Sequence, residues 1–178
     1  MVISMVADDQ ASRAVWLGPD GALAGMAPDA IAVECSTLTV EWVKELAATA
    51  SVAVVDAPVT GSKKAAAAGE LNFIVGGSAE AFARLQPVFA AMGRGAVHVG
   101  PTGSGALLKL INNFLCGVQV ASLAEAIAWI ERGGLDRTQA VSFLTEGSPG
   151  SPLVKMLAAR MTAADYTPNF KLALMAKD

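Results

Sequence analysis

Histidine and cysteine are scarce in this chain. His98 is the only histidine among 178 residues, and Cys35 and Cys116 are the two cysteines. That argues against a metal cluster of His and Cys ligands. It argues equally against a Ser–His–Asp triad, which needs a histidine beside its nucleophile. His98 itself reads as a strand-end residue. The cysteines stand alone in apolar settings and read as reduced core residues of a cytoplasmic protein rather than a disulfide. Charge is also thin, at 16% of residues, where an average globular chain carries roughly a quarter. The net charge of −3 leaves no electrostatic footprint for nucleic acid. An anionic substrate stays open, because sites are local. The opening "MVISMVADD" lacks a basic n-region and a long apolar h-region, so no signal peptide is expected. Asn112, Asn113, Gln119 and Glu125 interrupt the longest apolar stretch, so no membrane span is expected.

What the chain has in excess is apolar surface, 53% of its residues. This length can bury one good core, and the surplus points to a subunit interface. Val2 to Val6, Ala30 to Cys35 and Val52 to Val55 read as strands. Between them lie two helices. Asp8 or Asp9 would cap the first, with Gly18 as its stop, and Ser36 and Thr37 would cap the second. This alternation argues for a parallel sheet of βαβ units. "KKAAAAG" fits a small helical turn, Gly69 to Gly77 a strand, and the segment after Ser78 a helix broken near Pro87. Ala96 to Gly100 reads as the last strand. From there the chain turns all-helical. One long helix is expected from about Gly105 to Gly133, a second after Asp136 and a third in "SPLVKMLAARM".

Three strand ends and one helix carry candidate chemistry. In "GSGALLKLINNFL", Lys109 sits among Leu107, Leu108, Ile111 and Phe114, with Asn113 four residues on and so on the same face. A lysine desolvated there would lose basicity and could exchange a proton near neutral pH. The alternative is a snorkelling lysine whose stem packs while its head reaches water. "DAPVTGS" follows the third strand. Thr60 and Ser62 offer hydroxyls and Gly61 a close backbone approach, which suits a carboxylate; an ordinary turn into a helix would look the same. "ECSTLT", with Ser36 and Thr37, and "MVADD", with Met5, follow the other two strands. Strand carboxyl ends are where open α/β sheets bind ligands, although Ser36 and Thr37 could serve only as helix caps.

Together "DAPVTGSKKAAAAGELNFIVGG", "GPTGSGALLKLINN" and "YTPNFKLALMAKD" resemble the β-hydroxyacid dehydrogenase family over essentially the whole chain. That group includes 3-hydroxyisobutyrate dehydrogenase and tartronate semialdehyde reductase. The resemblance implies an α/β Rossmann-type parallel sheet, incomplete at its N-terminus, over residues 1–100. A helical substrate and dimerisation domain would follow over residues 101–178, also incomplete, with a long interdomain helix between them. It implies NAD or NADP as cofactor, a small carboxylated substrate, a homodimer or homotetramer, and a cytoplasmic location. Lys109 matches the family's catalytic lysine and Asn113 the asparagine one turn later. Thr60, Gly61 and Ser62 match the substrate loop, with Thr60 where serine is usual. Ser36 and Thr37 match the segment beside the nicotinamide ribose, on the edge that Met5 shares. Phe170, Lys177 and Asp178 match a late motif that closes over the site, Phe170 toward substrate and the other two toward cofactor. "GSKK" is similar to the branch that reduces glyoxylate and succinic semialdehyde.

The chain also departs from that pattern. The family opens with a strand, a G-x-G-x-x-G turn and a helix whose N-terminus holds the pyrophosphate. Here "GSGALL" has two of those glycines but begins the long helix instead. Both ends read as cut, which makes a middle fragment the expectation. 6-Phosphogluconate dehydrogenases carry histidine where this chain has Asn112, which disfavours decarboxylation. Imine reductases usually replace the lysine that is retained here. The expected activity is hydride transfer between NAD(P)H and a small carboxylated aldehyde or ketone, yielding its hydroxy acid, with Lys109 as proton donor and acceptor. The alternatives are a cofactor-free, dimeric structural fragment and an imine reductase-like or 6-phosphogluconate dehydrogenase-like enzyme.

Overall fold

The computed structural model describes residues 1–168 and 170–178. Two compact units are present, Met1–Ile111 together with Asp178, and Asn112–Lys177. In the first, β1 (Val2–Ser4), β2 (Ile31–Glu34) and β3 (Ala53–Asp56) alternate with α1 (Asp9–Trp16) and α2 (Val40–Thr49). These three strands are parallel, in the register Ser4–Glu34–Asp56. β2 and, after Ala53, β3 are buried on both faces, which is why they read as near-continuous apolar runs, whereas Ile3 of β1 is exposed. Ile31, Val33 and Val55 face Leu85 and Phe89 of α4 (Ala79–Met92). Ala32 and Val54 face Trp16, Trp42 and Leu46 of α1 and α2. The strand period of two sorts the residues between these layers.

The expected parallel sheet is present in β1–β3, and beyond β3 the sheet is mixed. β4 (Val59–Thr60) runs antiparallel to β5 (Leu71–Gly76), and β3 meets β5 antiparallel at Asp56–Gly76. β3 and β4 thus behave as one strand bent at Pro58, whose carbonyl still accepts from the Ile74 N–H at 2.9 Å. Proline has no N–H to give the ladder, so the bend falls there. β6 (Gly93–Gly100) runs parallel to β5 and closes that side. α3 (Ser62–Ala68) joins β4 to β5.

Two helix boundaries also differ. The cap of α2 is Thr39, not Ser36 or Thr37: its Oγ1 accepts from the Trp42 N–H at 3.2 Å. Asp9 of α1 fixes that cap, accepting from the Thr39 N–H at 3.0 Å and from Thr39 Oγ1 at 2.6 Å. Helix α4 runs unbroken through Pro87. The proline is exposed, so the carbonyl it leaves unpaired one turn earlier faces solvent.

α5 spans Ser104–Arg132. By length and composition it could cross a membrane, the interrupting polar residues notwithstanding. In the second unit its Leu123 and Ile127 pack on Val154 and Ala158 of α7 (Pro152–Thr162). Ser151 caps α7 and donates to Gln119 Oε1 at 2.5 Å. α6 (Arg137–Glu146) is capped by Asp136, and α8 (Leu172–Lys177), which sequence periodicity did not suggest, lays Met175 against Gly117.

Candidate active site at the carboxyl ends of three strands

Parallel pairing brings the carboxyl ends of β1, β2 and β3 to one edge of the sheet. The last residue of each strand, Ser4, Glu34 or Asp56, is polar and buried. A buried carboxylate is costly unless hydrogen-bonded, and both of these are. Glu34 Oε1 accepts from the Ser36 N–H at 2.9 Å. Its Oε2 accepts from Ser12 Oγ at 2.6 Å and Trp16 Nε1 at 2.7 Å, while Trp42 Nε1 donates to Ser12 Oγ at 2.9 Å. Ser36 Oγ in turn accepts from the Val6 N–H at 2.7 Å. One network therefore ties the loop after β1 to the loop after β2. Ser36 is buried and committed to that tie; Thr37 is half-buried beside it, and Met5 is exposed. Burial, with Glu34 adding to it, pushes the Cys35 thiol up to about 12, which removes it as a nucleophile.

Asp56 serves the third loop. Its Oδ1 accepts from the Gly103 N–H and its Oδ2 from the Ala106 N–H, both at 2.7 Å. Thr102 Oγ1 adds a bond to the Val54 carbonyl at 3.0 Å. The first turn of α5 is thus seated on β3. Gly105 permits the approach: a Cβ there would press on the Ile74 carbonyl oxygen and stand 2.9 Å from Asp56 Oδ2. Burial raises the Asp56 carboxyl above the ordinary aspartate value. The N–H groups of Gly103, Ala106, Asp56 itself and Gly105 oppose the shift without cancelling it.

Four residues past Asp56, Thr60 pairs with Asn72 of β5. Gly61 (φ 121°) and Ser62 (φ 62°) then take consecutive left-handed conformations. For serine this is a strained backbone, of the kind that clusters at ligand-binding loops. Both residues are exposed, and Thr60 is half-buried.

Lys109 lies one turn beyond the seat of α5 and is half-buried. The apolar shell expected around it is not there: Leu107, Leu108, Ile111 and Phe114 are all exposed. Asn113, in the second unit, is buried and accepts from Asn112 Nδ2 at 3.1 Å. Phe170 is exposed ahead of α8 and Lys177 ends that helix, whereas Asp178 belongs to the sheet unit. His98 sits in β6, hydrogen-bonded to the Gly77 carbonyl at 2.8 Å and stacked on Phe82, a structural role. Among the described residues no group of three His, Cys, Asp or Glu could hold a metal. Sequence reasoning assigned no role to Glu34 or Asp56. The signal was a carboxylate ending an otherwise apolar strand, in "AIAVE" and "VAVVD".

The residues fit one part of a dinucleotide better than another. The uncharged edge formed by Met5, Val6, Ser36 and Thr37 suits a nicotinamide riboside. The N-terminus of α1 does not suit a pyrophosphate: Asp8 caps it, taking the Ala11 N–H at 2.8 Å, and Asp9 follows in the first turn.

A sheet of this kind, with three parallel strand ends along one edge and a lysine-bearing helix anchored on β3, defines a Rossmann-type α/β protein continued by a helical unit. The family model described as the NAD binding domain of 6-phosphogluconate dehydrogenase matches residues 1–100. The model described as NAD-binding of NADP-dependent 3-hydroxyisobutyrate dehydrogenase matches residues 103–178. The chain belongs to the β-hydroxyacid dehydrogenase family. It is 37% identical to a 3-hydroxyisobutyrate dehydrogenase of Pseudomonas aeruginosa, over all of this chain and 63% of that one. It is 30% identical to the chloroplastic glyoxylate/succinic semialdehyde reductase 2 of Arabidopsis thaliana, over all of this chain and 51% of that one. The structure of Mycobacterium tuberculosis 3-hydroxyisobutyrate dehydrogenase with L-serine superposes with a TM-score of 0.89 at 30% identity, covering 98% of this chain and 62% of that one. The chain thus spans less than two thirds of the length of these relatives.

Proposed function

We propose that this chain works in an NAD(P)-dependent oxidoreductase that interconverts a small carboxylated aldehyde or ketone and its hydroxy acid. When bound, the dinucleotide supplies or accepts the hydride. In reduction the Lys109 ammonium donates a proton to the carbonyl oxygen; in oxidation the neutral amine takes the hydroxyl proton. Asn113, one helical turn later, orients the amine. Thr60, Gly61 and Ser62 hold the substrate carboxylate with hydroxyl and N–H donors. Met5, Ser36 and Thr37 border the nicotinamide riboside. Phe170 covers the substrate, and Lys177 and Asp178 reach toward the cofactor. The protein acts in the cytoplasm as a homodimer or homotetramer.

One observation supports this reading above the others. Asp56 stands immediately ahead of the Thr60–Ser62 loop and also binds the turn of α5 that precedes Lys109. A single residue thereby ties the proposed carboxylate-binding loop to the proposed proton donor. Asn112 in place of histidine keeps the proposal on simple dehydrogenation rather than decarboxylation.

The test is a nicotinamide-fluorescence titration of the chain with NADH and NADPH, followed by turnover on a panel of small β-hydroxy acids with both oxidised cofactors. Micromolar binding and turnover of at least one acid are expected. Absence of binding at millimolar cofactor contradicts the proposal and leaves the cofactor-free assembly reading. Two observations favour that second reading, the acid-capped start of α1 and the exposed apolar face of α5.

A further inference from the structure

We propose that Asp56 is the positioning residue of this site, setting where Lys109 stands by holding the first turn of α5 at two points. The inference rests on the catalytic reading of Lys109 given above. A single hydrogen bond would fix the height of a helix end and leave it free to swivel. Here two carboxylate oxygens take two N–H groups, Gly103 and Ala106, three residues apart in one turn. That pair fixes rotation as well as height. Lys109 follows Ala106 by three residues, about 4.5 Å further along the axis and on nearly the same face. Any tilt of the seat is therefore carried directly to the amine.

The contact is built to be rigid. Asp56 is buried at 1% exposure. Gly76, its partner across the sheet, is also forced to be glycine, because a Cβ there would lie 2.8 Å from the Gly105 nitrogen. Glycine on both sides of the carboxylate leaves no compressible side chain between strand and helix. Asp56 touches neither substrate nor cofactor in this account; it acts through backbone N–H groups on a residue one turn away.

An amide cannot do the same. Asparagine has one acceptor oxygen, and its NH2 would face a buried N–H. Asp56→Asn therefore keeps one attachment point and breaks the other. The test compares the full-length parent chain with Asp56→Asn. It reads kcat, dinucleotide affinity, amide exchange at Gly103 and Ala106, and the resonance of Lys109 after reductive 13C-methylation, assigned with Lys109→Arg. Expected are a kcat lower by about 30-fold, the scale of losses from misplaced catalytic groups, dinucleotide affinity within about threefold, faster exchange at one of Gly103 and Ala106 and a displaced Lys109 resonance. A folded Asp56→Asn chain with kcat within about threefold of the parent and an unmoved Lys109 resonance overturns the inference. So does an equal loss of kcat and dinucleotide affinity, which marks general structural damage. Should Asp56→Asn not fold, Asp56→Glu carries the test. It keeps both acceptors but displaces the seat by a methylene, so kcat falls at unchanged dinucleotide affinity, and an unchanged kcat overturns the inference. If Lys109→Ala retains activity, it is the catalytic reading of Lys109 that fails. The Lys109 resonance in Asp56→Asn then decides the positioning claim alone.

Discussion

Glu34 and Asp56 are neighbours across two parallel strands, and each solves burial of a carboxylate by recruiting donors. Glu34 draws on one indole, a hydroxyl and one amide, whereas Asp56 draws on the amides of a helix start. For Asp56 burial outweighs those donors, so its folded value lies above the ordinary 3.8. The folded chain then holds the proton more tightly than the unfolded chain. This contribution to stability is fully present below 3.8 and is lost as pH rises through the raised folded value. A carboxyl-carbon NMR titration should place the Asp56 midpoint above that of an exposed aspartate. The difference in unfolding free energy between parent and Asp56→Asn should shift against the parent as pH rises through that window; a midpoint at or below the ordinary value refutes this. At this scale the sequence was partly legible. "DAPVTGS" and the lysine in "GSGALLKLINN" stand out as residues. The partners of Glu34 and Asp56 do not, because Ser12, Trp16, Gly103 and Ala106 lie 18 to 50 positions away along the chain.

At the scale of elements, the strands apart from the two-residue β4, most helices and the long α5 were readable from periodicity and caps. The direction of β5 was not. A strand buried on both faces and bounded by glycines looks the same read either way, and only the bend at Pro58 turns the sheet mixed. The α2 cap was misplaced because Ser36, Thr37 and Thr39 all have the right chemistry, and the tie from Asp9 to Thr39 is a contact between helices. The seat of α5 makes its own prediction. Gly105→Ala forces a methyl against the Ile74 carbonyl and Asp56 and should destabilise the fold by about 1–3 kcal/mol. Gly25→Ala, where nothing lies within 4 Å, should change it by less than about 0.5 kcal/mol. Urea midpoints of the two variants check this, and equal midpoints refute the close seat.

For the whole molecule, the apolar excess of the composition appears as an exposed stripe on α5: Leu107, Ile111, Phe114, Leu115 and Val118 are each about half exposed or more. Leu107, Ile111 and Phe114, expected from the sequence to surround Lys109, lie in that stripe. Helical spacing shows which residues share a face but not whether anything covers it. Family membership was legible because its motifs are short, ordered and spread along the chain. The acid-capped α1 was legible too, as a strand–helix turn without the glycines a pyrophosphate needs.

The account rests on Lys109 as the group that moves the proton. Its most direct test is turnover of Lys109→Ala beside the parent chain, at saturating dinucleotide and with the best hydroxy acid from the panel. Activity below about a tenth of the parent's, at unchanged dinucleotide affinity, is the predicted result. A folded Lys109→Ala chain that keeps more than that contradicts it.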